Sequence, residues 1–370
     1  MLKNRKDIEI AMLYIGCVIG AGFASGQETL QFFSKYGKIS NLSVCIMGFL
    51  FAFIAFLILK ICDYKNVNQY IDFQNLIGGK LLTKIFSISA TTFMFICLAT
   101  MFAGCGALIE EGFGIKAIFS TTIFAILCYA VLIKGACGII KINTILTILL
   151  ISGSIIICAY IAFFNKSLTE TLRSSSASSI NSFAKINIGN MRSSGIYKLL
   201  ENIRDNWVVA LLLYVSYNLI TSKILLVTNS YEVRSKKSRM TIAIWAGVVF
   251  TIIGLLQNSI ILQRIEMLEG VQIPILAIVM SLNSKVQYVY IITILLAMFT
   301  TAISTGWGLL IRHNKNKKIK AFILIIAAIG FAQIGFSDLV AKIYPLFGYV
   351  GLLEIILIVI YSWRSVRKND

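Results

Sequence analysis

Charged side chains are scarce in this sequence: they make up 14% of its 370 residues, against about 25% in an ordinary soluble domain. That shortage excludes a typical soluble enzyme. Histidine is nearly missing too. His313 stands alone in a basic loop and reads as a solvated residue rather than a ligand. The eight cysteines contain no CxxC spacing and nearly all fall in apolar runs, so they read as small packing residues and not as a metal site or a disulfide framework. No GxxxxGK[ST] phosphate loop occurs, which argues against ATP as an energy source. No HExxH, no Ser/His pair and no metal-ligand cluster is present either, so a membrane-embedded enzyme lacks its machinery and a non-enzyme is expected. What the sequence has is hydrocarbon, with 58% hydrophobic residues, 24 Phe and 15 Tyr. A disordered chain is excluded by the same figures.

A membrane-spanning helix needs about 20 largely apolar residues. Nine apolar stretches free of Asp, Glu, Lys and Arg satisfy this: 10–27, 39–59, 85–109, 117–133, 142–165, 206–222, 240–263, 286–311 and 321–337. A tenth, 343–363, is broken only by Glu354. The expectation is an all-α integral membrane protein with ten transmembrane helices. Barrel strands alternate and are about half as long as these runs, so a barrel is excluded. Lys3, Arg5 and Lys6 ahead of the first run suggest a signal peptide, but the glycine-rich end of that run leads into further amphipathic helix.

Basic residues orient the chain. With the N-terminus inside, 21 of the 34 Lys and Arg fall in cytoplasmic segments and 12 in external ones, six of these in one long segment where charge is a weak guide, and Lys223 lies at a helix end. Both termini are therefore expected in the cytoplasm of a multi-pass protein of the bacterial cell membrane. The net charge of +18 is topology, and no nucleic-acid partner is expected. Two basic loops, one with Arg234, Lys236, Lys237 and Arg239 and one with Lys315, Lys317, Lys318 and Lys320, would face anionic headgroups of the lipid bilayer.

The segment 166–205 is rich in Ser and Asn, carries a candidate surface helix at 195–204, and divides the chain into 1–165 and 206–370. Five helices on each side invert the second set relative to the first, which is the arithmetic of an inverted repeat. The stretch 270–284, with Pro274, is short for a span and reads as a helix lying on or dipping into the external surface.

The sharpest feature is in the first span. Gly16, Gly20, Gly22 and Gly26 fall within eleven residues and are followed at once by Gln27 and Glu28. Glycines weaken a helix, and freed backbone groups survive at membrane depth only where they line a cavity or find partners. The competing reading is close packing through GxxxG, which leaves Ser25, Gln27 and Glu28 unexplained. The repeat partner of this helix, the sixth, should then be discontinuous as well. It carries Tyr214, Ser216, Tyr217 and Asn218 but neither Gly nor Pro, and interhelical hydrogen bonding explains those polar groups equally well. In the eighth span, Thr300, Thr301, Ser304 and Thr305 put hydroxyls at spacings of three and four on one face, suited to a hard cation or to bonding their own backbone. Glu28 and Glu354 are the carboxylates within or near the membrane and the candidates for proton coupling. Glu110 and Glu111, at the end of the third span, read as an external cap.

The run Tyr14-Ile15-Gly16 with Val18 through Glu28, continuing to Gln31-Phe32-Phe33, resembles the opening of the YkvI-like bacterial membrane proteins. That family is similar in outline to the amino acid, polyamine and organocation transporter superfamily, with its LeuT-type five-plus-five inverted repeat. The resemblance implies a sodium site formed by Gly16 and Ile19 with Thr301, Ser304 and Thr305. It also implies a substrate pocket at Ala21, Gly22, Phe23, Ser25 and Gln27, with Tyr214, Ser216, Tyr217 and Asn218 opposite. The amides of Ala21 and Gly22 would face a substrate carboxylate. The sixth helix departs from the superfamily by lacking a glycine-rich break.

The function expected from all this is secondary active transport of a small organic solute, an amino acid or related amine, coupled to sodium or protons, with no cofactor beyond the possible sodium ion. A sensor similar to the membrane subunits of spore germinant receptors, binding an amino acid without bulk transport, is the alternative. Neither reading specifies an oligomeric state.

Overall fold

The computed structural model describes residues 2–134, 206–233, 235–282, 284–310 and 317–367, with Gly153 and Ile156. No strand occurs among them. The helices in chain order are α1 (Leu2–Val18), α2 (Ala21–Ala24), α3 (Gln27–Phe32), α4 (Ile39–Lys65), α5 (Tyr70–Phe113), α6 (Ala117–Lys134) and α7 (Trp207–Thr228). They continue with α8 (Lys236–Gln263), α9 (Pro274–Leu282), α10 (Ser284–Leu310) and α11 (Lys317–Ala332). After Phe336–Asp338 and a π-helical turn, Leu339–Ile343, the last is α12 (Tyr344–Arg367). The expected span at 142–165, apart from Gly153 and Ile156, lies outside the described residues. So do the loop with its 195–204 helix, Arg234, His313 and Lys315.

By length and composition six of these helices can cross a membrane: Ile39–Lys65, Tyr70–Phe113, Trp207–Thr228, Lys236–Gln263, Val286–Leu310 and Phe336–Arg364. Ala117–Ile133 is apolar but shorter. Large apolar side chains point outward, among them Phe49, Leu81, Phe119, Ile123, Val289, Ile292 and Trp363. Polar ones such as Ser25, Gln27, Thr29, Gln74, Gln257 and Asn258 are buried. That inversion of the soluble pattern is what a lipid solvent selects, because polar groups there find partners only inside the protein.

Helix ends follow local chemistry. Asn206 accepts from Val208 N at 2.8 Å and Ser235 from Ser238 N at 3.0 Å, capping α7 and α8. Within α5, Gly79 takes φ +70°, a conformation costly to any residue with a Cβ, and separates 70–78 from the longer apolar part of the helix.

The core is built on close crossings. A Cβ on Gly48 of α4 would lie 2.7 Å from Gly247 O of α8, and one on Gly247 would lie 2.7 Å from Gly48 O, so the two backbones touch. On α12, Gly348 packs against Leu213 O, where a Cβ would come within 2.9 Å, and Gly351 against the Ser216 carbonyl. Besides these pairs, α5 packs on α10, α6 and α11, α1 on α8 and α7, and α7 on α4.

The 270–284 stretch forms α9, but Ile275, Leu276, Ile278 and Val279 are buried, so α9 is built into the protein. Glu111 holds its start by accepting from Gln272 N at 2.7 Å and Ile273 N at 3.2 Å. The sixth helix is a correction to expectation. From Trp207 to Thr228 it runs without a break. With no Gly or Pro inside it, the helical ladder survives, and Ser216, Asn218 and Ser222 turn their side chains onto the carbonyls of Leu212, Tyr214 and Asn218 one turn back.

Candidate functional site: the interrupted first helix and the buried charges

The first span breaks where its glycines fall. The last regular bond of α1 joins Ile19 N to Ile15 O at 2.8 Å; Gly20 N then reaches back only to Val18 O, and Gly20 is extended (φ −91°, ψ −171°). Regular bonding resumes with Ala24 N to Gly20 O at 3.0 Å. A second interruption follows at Gly26, whose φ of +81° only glycine adopts without strain. Ala21, Gly22, Phe23 and Ala24 are all buried.

Three carbonyls between and beside the interruptions find donors. Ser25 Oγ donates to Gly22 O at 2.8 Å, Tyr290 OH to Ala24 O at 3.0 Å, and Ile275 N of α9 to Ser25 O at 3.1 Å. Gln27 Nε2 donates to Ser337 Oγ at 2.5 Å, ahead of the π turn, and Thr29 Oγ1 to Gln257 Oε1 at 2.9 Å. This is the condition for irregular backbone at membrane depth, namely that it be enclosed by protein. Phe23 sends its ring toward Gly254 on α8.

Glu28 belongs to the same site. It is buried, and one carboxylate oxygen occupies the space that a side chain on Gly22 would need. The hydroxyls of Tyr214 and Tyr217 on α7 face this carboxylate. Glu28 Oε2, both phenol oxygens and Gln27 Oε1 nevertheless have no hydrogen-bond partner. Further rings pack on these phenols: Phe32 lies 5.5 Å from both Tyr214 and Tyr217, Phe33 5.0 Å from Tyr214, and Tyr344 5.1 Å from Tyr217.

The expected site residues therefore divide. Ala21, Gly22, Ser25, Gln27, Glu28, Tyr214 and Tyr217 gather at the break or face its carboxylate, whereas Ser216 and Asn218 bond their own helix. Ile19 is buried and Gly16 half-buried at the end of α1. Thr301, Ser304 and Thr305 are half-buried on α10, with Thr305 Oγ1 donating to Thr301 O at 2.8 Å and to Ala302 O at 3.1 Å. The bond that links α10 to the break comes from Tyr290, near its opposite end.

Glu354 lies elsewhere. On α12 it forms an ion pair with Lys223 of α7, the two side chains being 1% and 0% exposed, so neither charge reaches solvent. Gln74 Nε2 reaches Glu354 Oε1 at 3.4 Å and Tyr70 OH at 3.0 Å, and Lys223 Nζ sits 5.6 Å from the Tyr70 ring centre. Sequence reading left Lys223 at a helix end; the signal for it was charge balance, one lone cation and one lone carboxylate in two apolar runs. Tyr290, Gln257, Ser337 and Tyr344 were also missed, since each is a common polar residue with no local pattern.

No family model matches the sequence. The chain is similar to the uncharacterized membrane protein YkvI of Bacillus subtilis (strain 168), at 27% identity over 349 residues, covering 93% of this chain and 92% of that protein. It is also similar to the uncharacterized protein YyaD of the same strain, at 23% identity over 369 residues, covering 98% and 99%. Likeness over nearly the whole of each sequence, joined to the apolar helices described above, supports a membrane protein of a YkvI-like family.

Proposed function

We propose that the chain is a secondary active transporter of the bacterial cell membrane that carries a small organic solute, an amino acid or related amine, by alternating access, driven by sodium or protons. The observation that carries this reading is the first span, interrupted at Gly20 and again at Gly26, with buried polar groups left unpaired beside it. A helix whose only task is to fill a bilayer gains nothing from such a break, whereas a solute site near the midplane uses one.

On this reading ten helices form a five-plus-five inverted repeat, with both termini in the cytoplasm, no enzymatic activity and no nucleic-acid partner. Packing supports it. Exchanging first with sixth, second with seventh and third with eighth spans turns α1 on α8 into α7 on α4, and returns the α4/α8 and α5/α10 pairs to themselves. The unbroken α7 makes the two halves unequal at the site.

Counterflow of labelled amino acids and amines into proteoliposomes of the purified protein tests the proposal. Saturable exchange is expected. Stabilisation by a solute without counterflow favours the sensor instead, and conductance without saturation a channel. If sodium drives transport through Gly16, Ile19, Thr301, Ser304 and Thr305, then Ser304→Ala with Thr305→Val abolishes sodium-stimulated uptake, and unchanged stimulation removes that site.

A further inference from the structure

Four charged side chains are buried among the described residues: Asp7 near the start of α1, and Glu28, Lys223 and Glu354. Lys223 is taken by Glu354, and Glu28 takes part in no ion pair among the described residues. Glu28, at the break, is thus a buried carboxyl with no cation beside it, costly to ionise in lipid unless something positive arrives, a proton or a cation.

We propose that Glu28 is the counter-ion of a cationic amine, so that the solute presents an ammonium group, and not a carboxylate, to the break in the first helix. This rests on the reading of the break as a solute site. Three observations select an amine. Glu28 Oε2 and the hydroxyls of Tyr214 and Tyr217 are buried close together, the phenols facing the carboxylate, and no cation of the described residues stands among them. Aromatic side chains, Phe32, Phe33 and Tyr344, pack on the two phenols, so the surroundings are largely ring carbon rather than the full set of oxygens that a hard metal cation takes. Ring faces beside a carboxylate suit an ammonium with alkyl substituents. Finally, the Glu28 carboxylate already lies over Gly22, so a solute carboxylate there would meet a like charge at close range.

The test is thermal unfolding of the full-length protein in detergent with n-butylamine, 1,4-diaminobutane or tetramethylammonium, against n-butanol, butyrate and sodium chloride at matched ionic strength. Glu28→Gln and Glu28→Asp are run beside wild type. The amines are expected to stabilise wild type saturably and butanol not, with affinity falling about tenfold or more in Glu28→Gln and largely kept in Glu28→Asp. Tetramethylammonium carries no exchangeable proton, so its effect separates cation binding from protonation of Glu28. Equal stabilisation of Glu28→Gln by amines overturns the proposal, as do stabilisation by butyrate or sodium alone and a lack of effect from every amine. Should the variants fail to fold, the wild-type contrast between butylamine and butanol decides, since equal effects overturn it. Glu28-dependent amine binding without uptake keeps this inference and sinks the carrier; uptake of an anion that Glu28→Gln leaves intact does the reverse.

Discussion

Glu28 and Glu354 are both carboxylates buried among apolar helices, and they have been given opposite surroundings. Glu354 meets Lys223, with Gln74 alongside, and Gly351 one turn earlier holds α12 against the backbone of α7. Glu28 meets two phenols and a ring of aromatic faces, with an oxygen unpaired. The first arrangement supplies its own opposite charge and joins two helices. The second has no opposite charge of its own, and on the reading proposed above a solute supplies it. Burial alone therefore does not mark a functional carboxylate; the state of its partners does.

The contrast can be broken most forcefully at the pair. Lys223→Met leaves Glu354 enclosed without a cation and should cost about 3–5 kcal/mol, read as a lowered denaturation midpoint in detergent, with most of the loss recovered in Lys223→Met/Glu354→Leu. An equal loss in the double variant would assign the damage to packing instead of charge. Next in size is Gly351→Ala, whose Cβ runs into a main-chain carbonyl that cannot swing aside; about 1–3 kcal/mol is expected, without rescue from any change at Glu354. Gly22→Ala meets only the end of the flexible Glu28 side chain. Its cost should be smaller, about 1 kcal/mol, and shortening Glu28 to Ala in the same chain should relieve it; failure of that rescue would mean that Gly22 is needed for its backbone. Smallest is Glu28→Gln, which keeps the shape of a carboxyl that a proton can neutralise while no solute is bound. Unfolding should move by less than about 1 kcal/mol in either direction, and a loss as large as that at Lys223 would make Glu28 a structural residue.

Much of the fold was legible because lipid imposes a simple rule. Apolar runs of about 20 residues have few alternatives, and α4, α7, α8 and α10 begin or end close to the edges of those runs. The break in the first helix was legible for a related reason, since glycines followed by Gln27 and Glu28 have no place in a plain span. Continuity of the sixth helix was misjudged by analogy with its repeat partner, although the absence of Gly and Pro from α7 already favoured an intact ladder. Long-range pairing was the illegible part. Nothing near position 223 in the sequence points to Glu354, and nothing near Tyr290 points to Ala24, because these meetings are set by how separate helices cross. The burial of α9 was hidden likewise: its Ile275 amide completes a carbonyl some 250 residues earlier.

Where Gly48 of α4 meets Gly247 of α8, each glycine carbonyl lies where the other's Cβ would be, with the Thr251 and Ala52 side chains alongside. A methyl group at either glycine would have to push the two axes apart, so the tightness of this crossing is set by two residues that have no side chain.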